Sequence, residues 1–408
     1  MDRCGLLGEK LGHSFSPSIH KYLGNYPYDL IELAPEALPE FLSRGEFCGL
    51  NVTIPYKKTV LPYLKTLSPR AARLGSVNTI GKNPDGSLWG DNTDWDGFSY
   101  LLSASGLDAS LKGKKTLVLG SGGASVTVRA VLEEAGANVI IISRSGPDHY
   151  GNLARHVDAY LLVNTTPLGM YPNNGAAALS LKELPHLQAV IDVIYNPLRT
   201  ALLLEAEALG IPAINGLGML VAQAAASAKL WGFCTDAEAQ TKRILPLLQR
   251  EKENIILIGM PGSGKTTQAR LLGKVLHRPV FDSDQEIEKE IGMRIPDFFA
   301  SHGEAAFRQA ETRVLARLGA MSGIILSTGG GAVTRAENYP LLHQNGTILW
   351  IRRALDQLST KGRPLSQSRD VGDLYRERAQ AYAHFADHAV DSQAKKSETL
   401  RRILEVLS

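Results

Sequence analysis

The segment Gly259–Thr266 (GMPGSGKT) constrains the fold of this chain more than any other part of its sequence. Its spacing is G-x-x-x-x-G-K-T, in which the glycines let consecutive backbone N–H groups converge on phosphate oxygens without a Cβ in the way. The apolar run NIILI precedes the segment, and a helical pattern follows it. A strand, a phosphate loop and a helix in this order predict a parallel sheet covered by helices, with a nucleotide phosphate at a helix N-terminus.

A second glycine-rich turn lies well upstream of the first. The strand pattern KTLVL leads into Gly120–Ser125 (GSGGAS), which is close to the dinucleotide turn G-x-G-x-x-G/A and opens another helical pattern. Because the glycine spacing of the two turns differs, they predict two unrelated nucleotide folds in series. After the next strand pattern comes Ser143-Arg144-Ser145, and an arginine with hydroxyls suits the 2′-phosphate of NADP. A solvated arginine in a turn is the alternative.

The length of the chain and its charged segments suggest where these units begin and end. At roughly 150 residues per domain, 408 residues correspond to two or three compact units. We predict an α/β lobe at 1–100 that is completed by 217–248, and a Rossmann-type dinucleotide lobe at 101–216. A charged linker at 249–253 would precede a P-loop α/β domain with a parallel sheet at 254–408. The predicted fold class is therefore α/β throughout.

Composition excludes several classes of partner. The 44 basic and 41 acidic residues nearly balance, whereas a nucleic-acid or membrane-surface binder needs a clear basic excess. No apolar run approaches the ~18 residues of a membrane span, and the first residues have no signal-peptide pattern. Cys4, Cys48 and Cys234 have no metal-ligand or paired spacing, so we expect idle thiols in a reducing compartment. The sequence predicts a soluble, cytoplasmic protein that acts on small molecules, with no nucleic-acid or membrane partner.

Residues within and after the phosphate loop suggest its chemistry. Lys265 would reach the β- and γ-phosphates, and the Thr266 hydroxyl would bind Mg²⁺. Asp282 and Asp284 follow a strand pattern, where Asp282 would contact the ion through water and Asp284 would contact an acceptor hydroxyl. The alternative for this pair is that both residues cap the following helix.

Arg308 offers two interpretations. Glu304 stands four residues before it and Glu311 three residues after it on a helical pattern, so the three residues would form a surface ion-pair ladder. The two carboxylates would equally hold the guanidinium in one rotamer, ready to bind a substrate carboxylate through two hydrogen bonds. The run Thr328–Gly331 (TGGG) ends a later strand pattern and permits the close approach of a flat ligand, with a generic turn as the alternative.

Together these motifs resemble shikimate kinase across residues 254–408. The phosphate loop, F-D-S-D, F-R-x-x-E, the triple glycine, R-P-L and R-x-x-x-Y occur in that family's order. The resemblance implies an NMP-kinase-like fold in which Asp284, Arg308, Gly330 and Arg378 bind shikimate. It also implies that Arg363 lies on a mobile lid, although the segment around it is short for the family. The residues implied to bind ATP are Gly262, Ser263, Gly264, Lys265, Thr266, Thr267 and Arg363, of which Lys265 and Arg363 join Asp284 as catalytic residues.

The N-terminal part carries polar runs that are weak signals singly. Together they closely resemble shikimate dehydrogenase over about residues 3–248. The matching runs are H-S-x-S-P-x-I-H, N-V-T-I-P-Y-K, V-N-T, D-N-T-D, G-S-G-G-A-S, N-T-T-P-L-G-M, D-V-I-Y-N-P and N-G-L-G-M-L-V-A-Q. The resemblance implies that Lys57 and Asp94 form the catalytic pair. The residues implied to contact the substrate are Ser14, Ser16, Thr53, Lys57, Asn78, Asp94, Tyr195 and Gln223.

The cofactor contacts implied by the same resemblance lie in the dinucleotide lobe. They are Gly120, Ser121, Gly122, Gly123, Ala124, Ser143, Arg144, Ser145, Val193 and Gly216. Asp148 stands where the family usually has a second basic residue, which leaves the preference for NADP over NAD open. The cofactors expected for the whole chain are NADP(H), ATP and Mg²⁺.

The resulting prediction is a fusion of two enzymes for consecutive steps. Reduction of 3-dehydroshikimate by NADPH creates a hydroxyl, and ATP then phosphorylates shikimate at that 3-hydroxyl. One alternative is a quinate/shikimate dehydrogenase with a preference for NAD. Another is a regulatory sensor, which should have lost catalytic residues and gained a DNA-binding module. Lys57, Asp94, Lys265, Thr266 and Asp284 are all present, so the enzymatic interpretation is favoured.

Overall fold

A computed structural model of the chain describes residues 3–12, 14–358 and 371–407. The chain divides into two compact units, Met1–Gln249 and Arg250–Ser408. The first unit contains two sheets and the second contains one. Within the described residues, no helix is long and apolar enough to cross a membrane.

The first sheet has six strands and carries the N-terminal polar motifs at its strand ends. Its strands are β1 (Cys4–Gly8), β2 (Tyr28–Glu32), β3 (Gly49–Val52), β4 (Thr66–Leu67), β5 (Thr79–Lys82) and β6 (Leu88–Asp91). Their order is β2-β1-β3-β5-β6-β4, with β1, β2 and β3 parallel and β5 antiparallel to both β3 and β6. The helices of this region are α1 (Ser16–Leu23), α2 (Leu38–Arg44), α3 (Pro69–Leu74) and α4 (Asp94–Ala104).

The expectation of three idle thiols is wrong for two of them. Cys4 and Cys48 form a disulfide, and their Cα atoms lie 5.5 Å apart. Cys4 begins β1 and pairs with Gly49 of the neighbouring β3, so strand pairing brings Cys48 next to Cys4. A spacing of 44 residues hides this adjacency in the sequence. Cys234 is a free cysteine.

The second sheet of the first unit has the pattern of a dinucleotide fold. Its strands are β7 (Lys115–Leu119), β8 (Asn138–Ile142), β9 (Leu161–Asn164), β10 (Ala189–Asp192) and β11 (Ala213–Asn215). They are all parallel, in the order β11-β10-β9-β7-β8. The associated helices are α5 (Gly123–Glu134) and α6 (Ala201–Ala208). Nearly all side chains of the strand β7 (KTLVL) are buried, on both faces of the sheet. Such a continuous apolar run is typical of a parallel strand that is covered by helices on both sides.

Two further helices complete the first unit. They are α7 (Leu217–Leu230) and α8 (Ala237–Lys252). Small and branched residues of α7, among them Val221 and Ala225, pack with Phe15 and Ile19 around α1 in one buried cluster. The predicted linker at 249–253 is largely wrong, because α8 continues to Lys252 and only Glu253 separates it from the next strand.

The second unit is a single parallel sheet with helices around it. Its strands are β12 (Asn254–Ile258), β13 (Val280–Asp282), β14 (Ile325–Ser327), β15 (Gly346–Arg352) and β16 (His388–Asp391), in the order β13-β14-β12-β15-β16. Its helices are α9 (Lys265–Leu276), α10 (Ser283–Ile291), α11 (Ile295–Gly319), α12 (Asn338–His343), α13 (Val371–Phe385) and α14 (Lys396–Val406). The α/β fold class is confirmed.

Burial explains why the apolar runs of this unit become strands. Ile256 and Ile258 of β12 point into one buried cluster, while Leu257 points into a second cluster on the opposite side. Each fully buried side chain of this size contributes roughly 2 kcal/mol relative to an exposed one. A sheet covered on both faces in this way places the carboxyl ends of its parallel strands at one edge, which is where polar residues and glycines collect.

Candidate active sites

The first candidate site forms where β3 and β6 end. The chain leaves β3, turns at Thr53–Tyr56, where the Tyr56 N–H donates to the Thr53 carbonyl, and then reaches Lys57. Asp94 begins α4 shortly after β6. The Lys57 Nζ lies 2.5 Å from Asp94 Oδ2, and the two side chains are 20% and 11% exposed. A lysine and a carboxylate so little exposed are screened weakly by water, so the pair is held firmly.

Asn78 fixes the other oxygen of the carboxylate. Its Nδ2 donates to Asp94 Oδ1 at 2.8 Å, while its Oδ1 accepts from the backbone N–H of Thr93 at 2.7 Å. A backbone N–H only donates, so the orientation of the amide is determined and Asp94 meets two donors. The arrangement presents an ammonium group that can donate a proton to an oxygen atom on which negative charge develops.

The serines expected to bind the substrate lie at the start of α1. The Ser14 hydroxyl accepts from the N–H of Ser16 at 3.2 Å and hydrogen-bonds Tyr195, whose pKa is raised by burial. The Ser16 hydroxyl is buried and hydrogen-bonds Tyr28. The structure therefore brings three predicted residues, Ser14, Ser16 and Tyr195, into one group.

Gln223 and Thr53 lie on segments that adjoin the predicted catalytic pair, Gln223 through helix packing and Thr53 through its position before Lys57 in the chain. Gln223 is on α7, and a Cβ placed at Gly97 of α4 would lie 3.1 Å from the Gln223 Cβ. Gly97 is three residues after Asp94, so Gln223 faces the first turn of the helix that Asp94 begins. Thr53 is partly buried and donates its backbone N–H to the Leu7 carbonyl at the end of β1.

The predicted dinucleotide turn leads from β7 into α5. Ser121, Gly122 and Gly123 are exposed, and Gly122 is the residue before the first turn of α5. A Cβ at Gly122 or Gly123 would have no heavy atom within 4 Å, so open space adjoins the helix N-terminus at both positions. Gly120 and Ala124 flank this exposed stretch. The free backbone N–H groups of such a turn fit a pyrophosphate.

The loop after β10 comes very close to the loop after β11. A Cβ at Gly216 would lie 2.0 Å from the carbonyl oxygen of Val193, so only glycine fits there. Asp192 is buried beside this contact and accepts from Asn164 Nδ2 at 3.0 Å, from the Ile194 N–H at 3.1 Å and from Thr200 Oγ1 at 2.7 Å. Burial raises the pKa of Asp192 to about 6, while these three donors act in the opposite direction.

Ser143, Arg144 and Ser145 follow β8, and both Arg144 and Ser145 are exposed. Asp148 makes contacts of its own. Its Oδ1 lies 2.9 Å from His156 Nε2 and 3.5 Å from the guanidinium of Arg155. Asp148, which stands where the resembling family usually has a basic residue, therefore contacts both His156 and Arg155.

The phosphate loop of the second unit connects β12 to α9. Lys265 Nζ donates to the carbonyls of Gly259 and Met260 at 2.8 and 3.0 Å, and the side chain is 7% exposed. The buried Ser263 Oγ has no hydrogen-bond partner among the described residues. Gly262, Gly264 and Thr267 complete the predicted ATP contacts in the loop and the first turn of α9. An unsatisfied hydroxyl and a lysine that donates to its own loop fit an anionic ligand.

Thr266 lies next to the acidic end of β13. Its hydroxyl donates to Asp282 Oδ2 at 2.9 Å and lies 3.1 Å from Ser327 Oγ. Asp282 also caps α10, because its Oδ1 accepts from the N–H of Asp284 at 3.2 Å. Asp282 therefore caps α10 with one carboxylate oxygen and contacts Thr266, at the predicted ion site, with the other. Hydroxyl and carboxylate oxygens are ligands that Mg²⁺ prefers, so these residues fit that ion.

Arg308 is not part of a surface ladder. The helical pattern expected around Arg308 is the second part of α11, after a break at Gly303 with φ 78°. Arg308 NH1 donates to Glu311 Oε2 at 2.7 Å and NH2 to Glu304 Oε1 at 3.1 Å. The Glu311 side chain is only 1% exposed and that of Arg308 9%, so this pair is buried. A Cβ at Gly331 would lie 2.2 Å from Arg308 NH1, so the glycine run packs directly against the guanidinium.

Gly330 connects this cluster to α13. Its carbonyl accepts from Arg378 NH1 at 3.1 Å and from the Tyr382 hydroxyl at 2.5 Å, and burial raises the pKa of Tyr382 to about 12. Asp284 is exposed in the first turn of α10, and a Cβ at Gly329 would lie 2.5 Å from its Oδ1. The structure thus gathers Asp284, Arg308, Gly330 and Arg378 around the triple glycine. The predicted lid residue Arg363 lies outside the described residues.

Sequence reasoning missed several residues that support these sites. Asn164, Asp192 and Tyr382 belong to the quoted runs, but nothing in their spacing assigns them a partner. Ser227 has no motif at all, although it is fully buried on α7. A buried polar residue on an otherwise apolar helix is the signal that could have identified it.

Comparison with known proteins relates each unit to a family. The family described as "Shikimate dehydrogenase substrate binding domain" matches residues 6–80, and the family described as "Shikimate kinase" matches residues 261–408. A shikimate dehydrogenase (NADP(+)) of Clostridium perfringens (strain SM101 / Type A) is 36% identical over 249 residues, which cover 56% of this chain and 91% of that relative.

Solved structures show the same likeness for the first unit. A chorismate mutase/shikimate 5-dehydrogenase fusion protein from Clostridium acetobutylicum superimposes with a TM-score of 0.57 at 35% identity and covers 61% of this chain and 97% of its own. A shikimate 5-dehydrogenase from Thermus thermophilus, solved with NADP(H) and shikimate, gives a TM-score of 0.54 at 35% identity. That match covers 60% of this chain and all of the other.

Proposed function

Because this chain belongs to the shikimate dehydrogenase family and carries a shikimate kinase domain, we propose that its two units perform consecutive reactions on one cyclic acid. The chain is a bifunctional enzyme of the shikimate pathway. In the first reaction 3-dehydroshikimate is reduced to shikimate, and in the second shikimate is phosphorylated at its 3-hydroxyl. The observation that carries the proposal is the ion pair between Lys57 and Asp94, whose atoms lie 2.5 Å apart.

Lys57 would act on the oxygen of the substrate carbonyl. When the nicotinamide cofactor is bound, it supplies a hydride to the carbonyl carbon. Negative charge then develops on the oxygen, and an ammonium group beside it stabilises that charge and donates the proton. Asp94 holds the ammonium group in place, and Asn78 holds Asp94 through the 2.8 Å hydrogen bond. Ser14, Ser16 and Tyr195 offer hydroxyls for the carboxylate end of the substrate.

NADP is the cofactor that the first unit would prefer. The exposed Arg144 and Ser145 offer a cation and a hydroxyl to a 2′-phosphate. Asp148 would oppose that phosphate only if its charge were uncompensated, and it lies 2.9 Å from His156 and 3.5 Å from Arg155. An NAD-preferring quinate/shikimate dehydrogenase is the second candidate. Only the acidic residue at 148 favours this candidate. Initial rates with shikimate and with quinate, each measured with NADP⁺ and with NAD⁺, would distinguish it from an NADP-preferring shikimate dehydrogenase.

The second unit would orient shikimate against the phosphate loop. Thr266 and Asp282 would hold Mg²⁺, directly and through water respectively, and the ion when bound neutralises charge on the phosphates. Asp284 would orient or deprotonate the attacking hydroxyl, and its exposure leaves it accessible to an incoming substrate. Lys265 and Arg363 would stabilise the transferring phosphoryl group. Since the two reactions draw on NADPH and ATP, we place the enzyme in the cytoplasm.

Arg308 and Arg378 would bind the shikimate carboxylate. Glu311 is buried and accepts a 2.7 Å hydrogen bond from the Arg308 guanidinium. This bond fixes the orientation of the guanidinium, which would then bind the substrate carboxylate through two hydrogen bonds. Arg378 already touches the same glycine run through the Gly330 carbonyl. Two arginines near one surface give the substrate carboxylate a strong electrostatic anchor.

The test of this division of labour uses the full chain. A Lys265→Ala variant should lose shikimate phosphorylation by at least about a hundredfold, because a transition-state cation is removed, yet retain shikimate oxidation with NADP⁺. Lys274→Ala on the exposed face of the same helix is the matched control and should retain both activities. Parental phosphorylation by Lys265→Ala would overturn the kinase assignment.

A further inference from the structure

Behind the catalytic pair of the first unit lies a group of buried polar side chains. Its members, here called the hydroxyl cluster, are Asn51, Thr79, Thr93 and Ser227. Asn51 is 4% exposed and the other three are fully buried. The first three belong to the sheet or its strand ends, whereas Ser227 reaches them from α7, four residues beyond the last run that carries the family resemblance.

We propose that Ser227 is a positioning residue for the dehydrogenase reaction. It anchors the hydroxyl cluster, which fixes the amide of Asn78 and through it the carboxylate of Asp94. The proposal rests on the function proposed above, in which Asp94 holds Lys57.

Ser227 is the centre of the cluster. Its Oγ lies 2.7 Å from Thr79 Oγ1, 2.9 Å from Thr93 Oγ1 and 2.8 Å from Asn51 Nδ2. Its own proton points to the Gln223 carbonyl at 2.9 Å. A hydroxyl has one proton and two lone pairs, so Ser227 can accept from Asn51 Nδ2 and from one of the two threonine hydroxyls, and the proton of the other threonine is left for a different acceptor.

The threonine hydroxyls and one backbone group converge on Asn78. Its Oδ1 lies 3.1 Å from both Thr79 Oγ1 and Thr93 Oγ1 and 2.7 Å from the N–H of Thr93. The Thr93 N–H can only donate, and one threonine hydroxyl has its proton left for Asn78 when the other donates to Ser227, so the amide oxygen must face the cluster and the Nδ2 group must face Asp94. The opposite orientation would set an amide NH₂ against the Thr93 N–H and an oxygen against the carboxylate, and both contacts are repulsive.

The other side of the cluster reaches the substrate serines. Asn51 Oδ1 accepts from the Tyr28 hydroxyl at 2.8 Å, and Tyr28 hydrogen-bonds Ser16. Removal of the Ser227 hydroxyl would leave the Asn51 amide and a threonine hydroxyl without their acceptor. The threonines would then re-orient, and the constraint on Asn78 would weaken while Asn78, Asp94 and Lys57 themselves stay intact.

A double-mutant cycle tests whether Ser227 acts on Asp94 through Asn78. The variants are Ser227→Ala, Asn78→Ala and the double variant, assayed for shikimate oxidation with NADP⁺. Ser227→Ala should lower kcat by about tenfold, with the KM for NADP⁺ changed by less than about twofold. In the Asn78→Ala background the same change should lower kcat by less than about twofold, because the route passes through Asn78.

The matched control is Thr116→Val. Thr116 is fully buried in β7, and its hydroxyl has no partner among the described residues, so the variant removes an equally buried hydroxyl away from the cluster. It should retain the parental kcat. If Ser227→Ala does not fold, Thr79→Val removes the neighbouring hydroxyl while keeping the shape, and the same non-additivity is expected.

Two results would overturn the proposal. One is an unchanged kcat in a folded Ser227→Ala variant, and the other is an equal loss in both backgrounds, which a purely structural role would produce. A wild-type protein that oxidises no shikimate would instead overturn the proposed function itself.

Discussion

The ammonium nitrogen of Lys57 lies 2.5 Å from Oδ2 of Asp94, in a pair where neither side chain is more than a fifth exposed. In the proposed reaction such a contact would keep a proton donor at a fixed place beside the substrate carbonyl. The cost of re-orienting the group during reaction is therefore small, which is what electrostatic stabilisation of a transition state requires.

Replacement of Lys57 by methionine removes the charge and the proton while keeping most of the side-chain volume. We expect Lys57→Met to lower kcat for shikimate oxidation by about a thousandfold, since one group acts both as electrostatic stabiliser and as acid–base catalyst. Lys58→Met, at the exposed neighbouring position, should leave kcat unchanged. Steady-state rates across pH measure both effects, and a Lys57→Met variant with the parental pH–rate profile would refute the role.

Arg144 should decide the preference for NADP. Arg144→Ala should reduce the ratio of kcat/KM for NADP⁺ to that for NAD⁺ by at least about tenfold, because a charge-assisted contact to the 2′-phosphate is lost. Arg129→Ala, which removes an exposed arginine on α5 paired with Glu133, is the control. Asp148→Asn should shift the ratio by less than about threefold. A large rise in NADP preference in that variant would mean that the charge of Asp148 does reach the cofactor.

The raised pKa of Asp192 predicts that the stability of the first unit depends on pH. Its pKa is raised to about 6 by burial, above the ordinary value of 3.8, so the native state holds this proton more tightly than the unfolded state. The free energy of unfolding therefore falls with rising pH, by about 2 kcal/mol between pH 4 and 6 and by about 3 kcal/mol in all between about pH 3 and pH 7. Chemical denaturation of wild type and Asp192→Asn isolates the group. Parallel curves between pH 4 and 6 would contradict the prediction.

Gly331 predicts an effect confined to shikimate binding by the second unit. A Cβ there would lie 2.2 Å from Arg308 NH1, and the guanidinium cannot simply swing away because Glu311 and Glu304 hold it. We expect Gly331→Ala to raise the KM for shikimate in the kinase reaction by about tenfold, the loss of one good charged contact. The KM for ATP and the dehydrogenase activity of the same protein serve as internal controls. An unchanged KM for shikimate would show that Arg308 does not bind the substrate.

The sequence was sufficient for the α/β class, for both family resemblances and for the pairing of two activities. Phosphate loops and dinucleotide turns are local in the chain, since their chemistry depends on consecutive backbone N–H groups and a following helix. For the same reason the glycines, Lys265 and Thr266 were identifiable as candidates before their surroundings were known. Their roles, like those of the substrate residues, remain predictions.

Contacts between distant segments could not be predicted. The Cys4–Cys48 bond depends on the pairing of β1 with β3, and the hydroxyl cluster depends on how α7 packs against that sheet. The continuation of α8 through the expected linker has a simpler reason. Its residues Gln249–Lys252 are good helix formers, and charge alone does not end a helix. The contacts of Asp148 are equally hidden, because His156 and Arg155 lie several residues further along the chain.

The most direct test of the two-step account follows one carbon skeleton through the intact chain. The purified protein is incubated with 3-dehydroshikimate and NADPH, with and without Mg-ATP, and the products are identified by mass spectrometry. We predict shikimate alone without the nucleotide, and shikimate followed by shikimate 3-phosphate with it. Unreduced 3-dehydroshikimate in both incubations, or shikimate that persists unphosphorylated with Mg-ATP, would contradict the account.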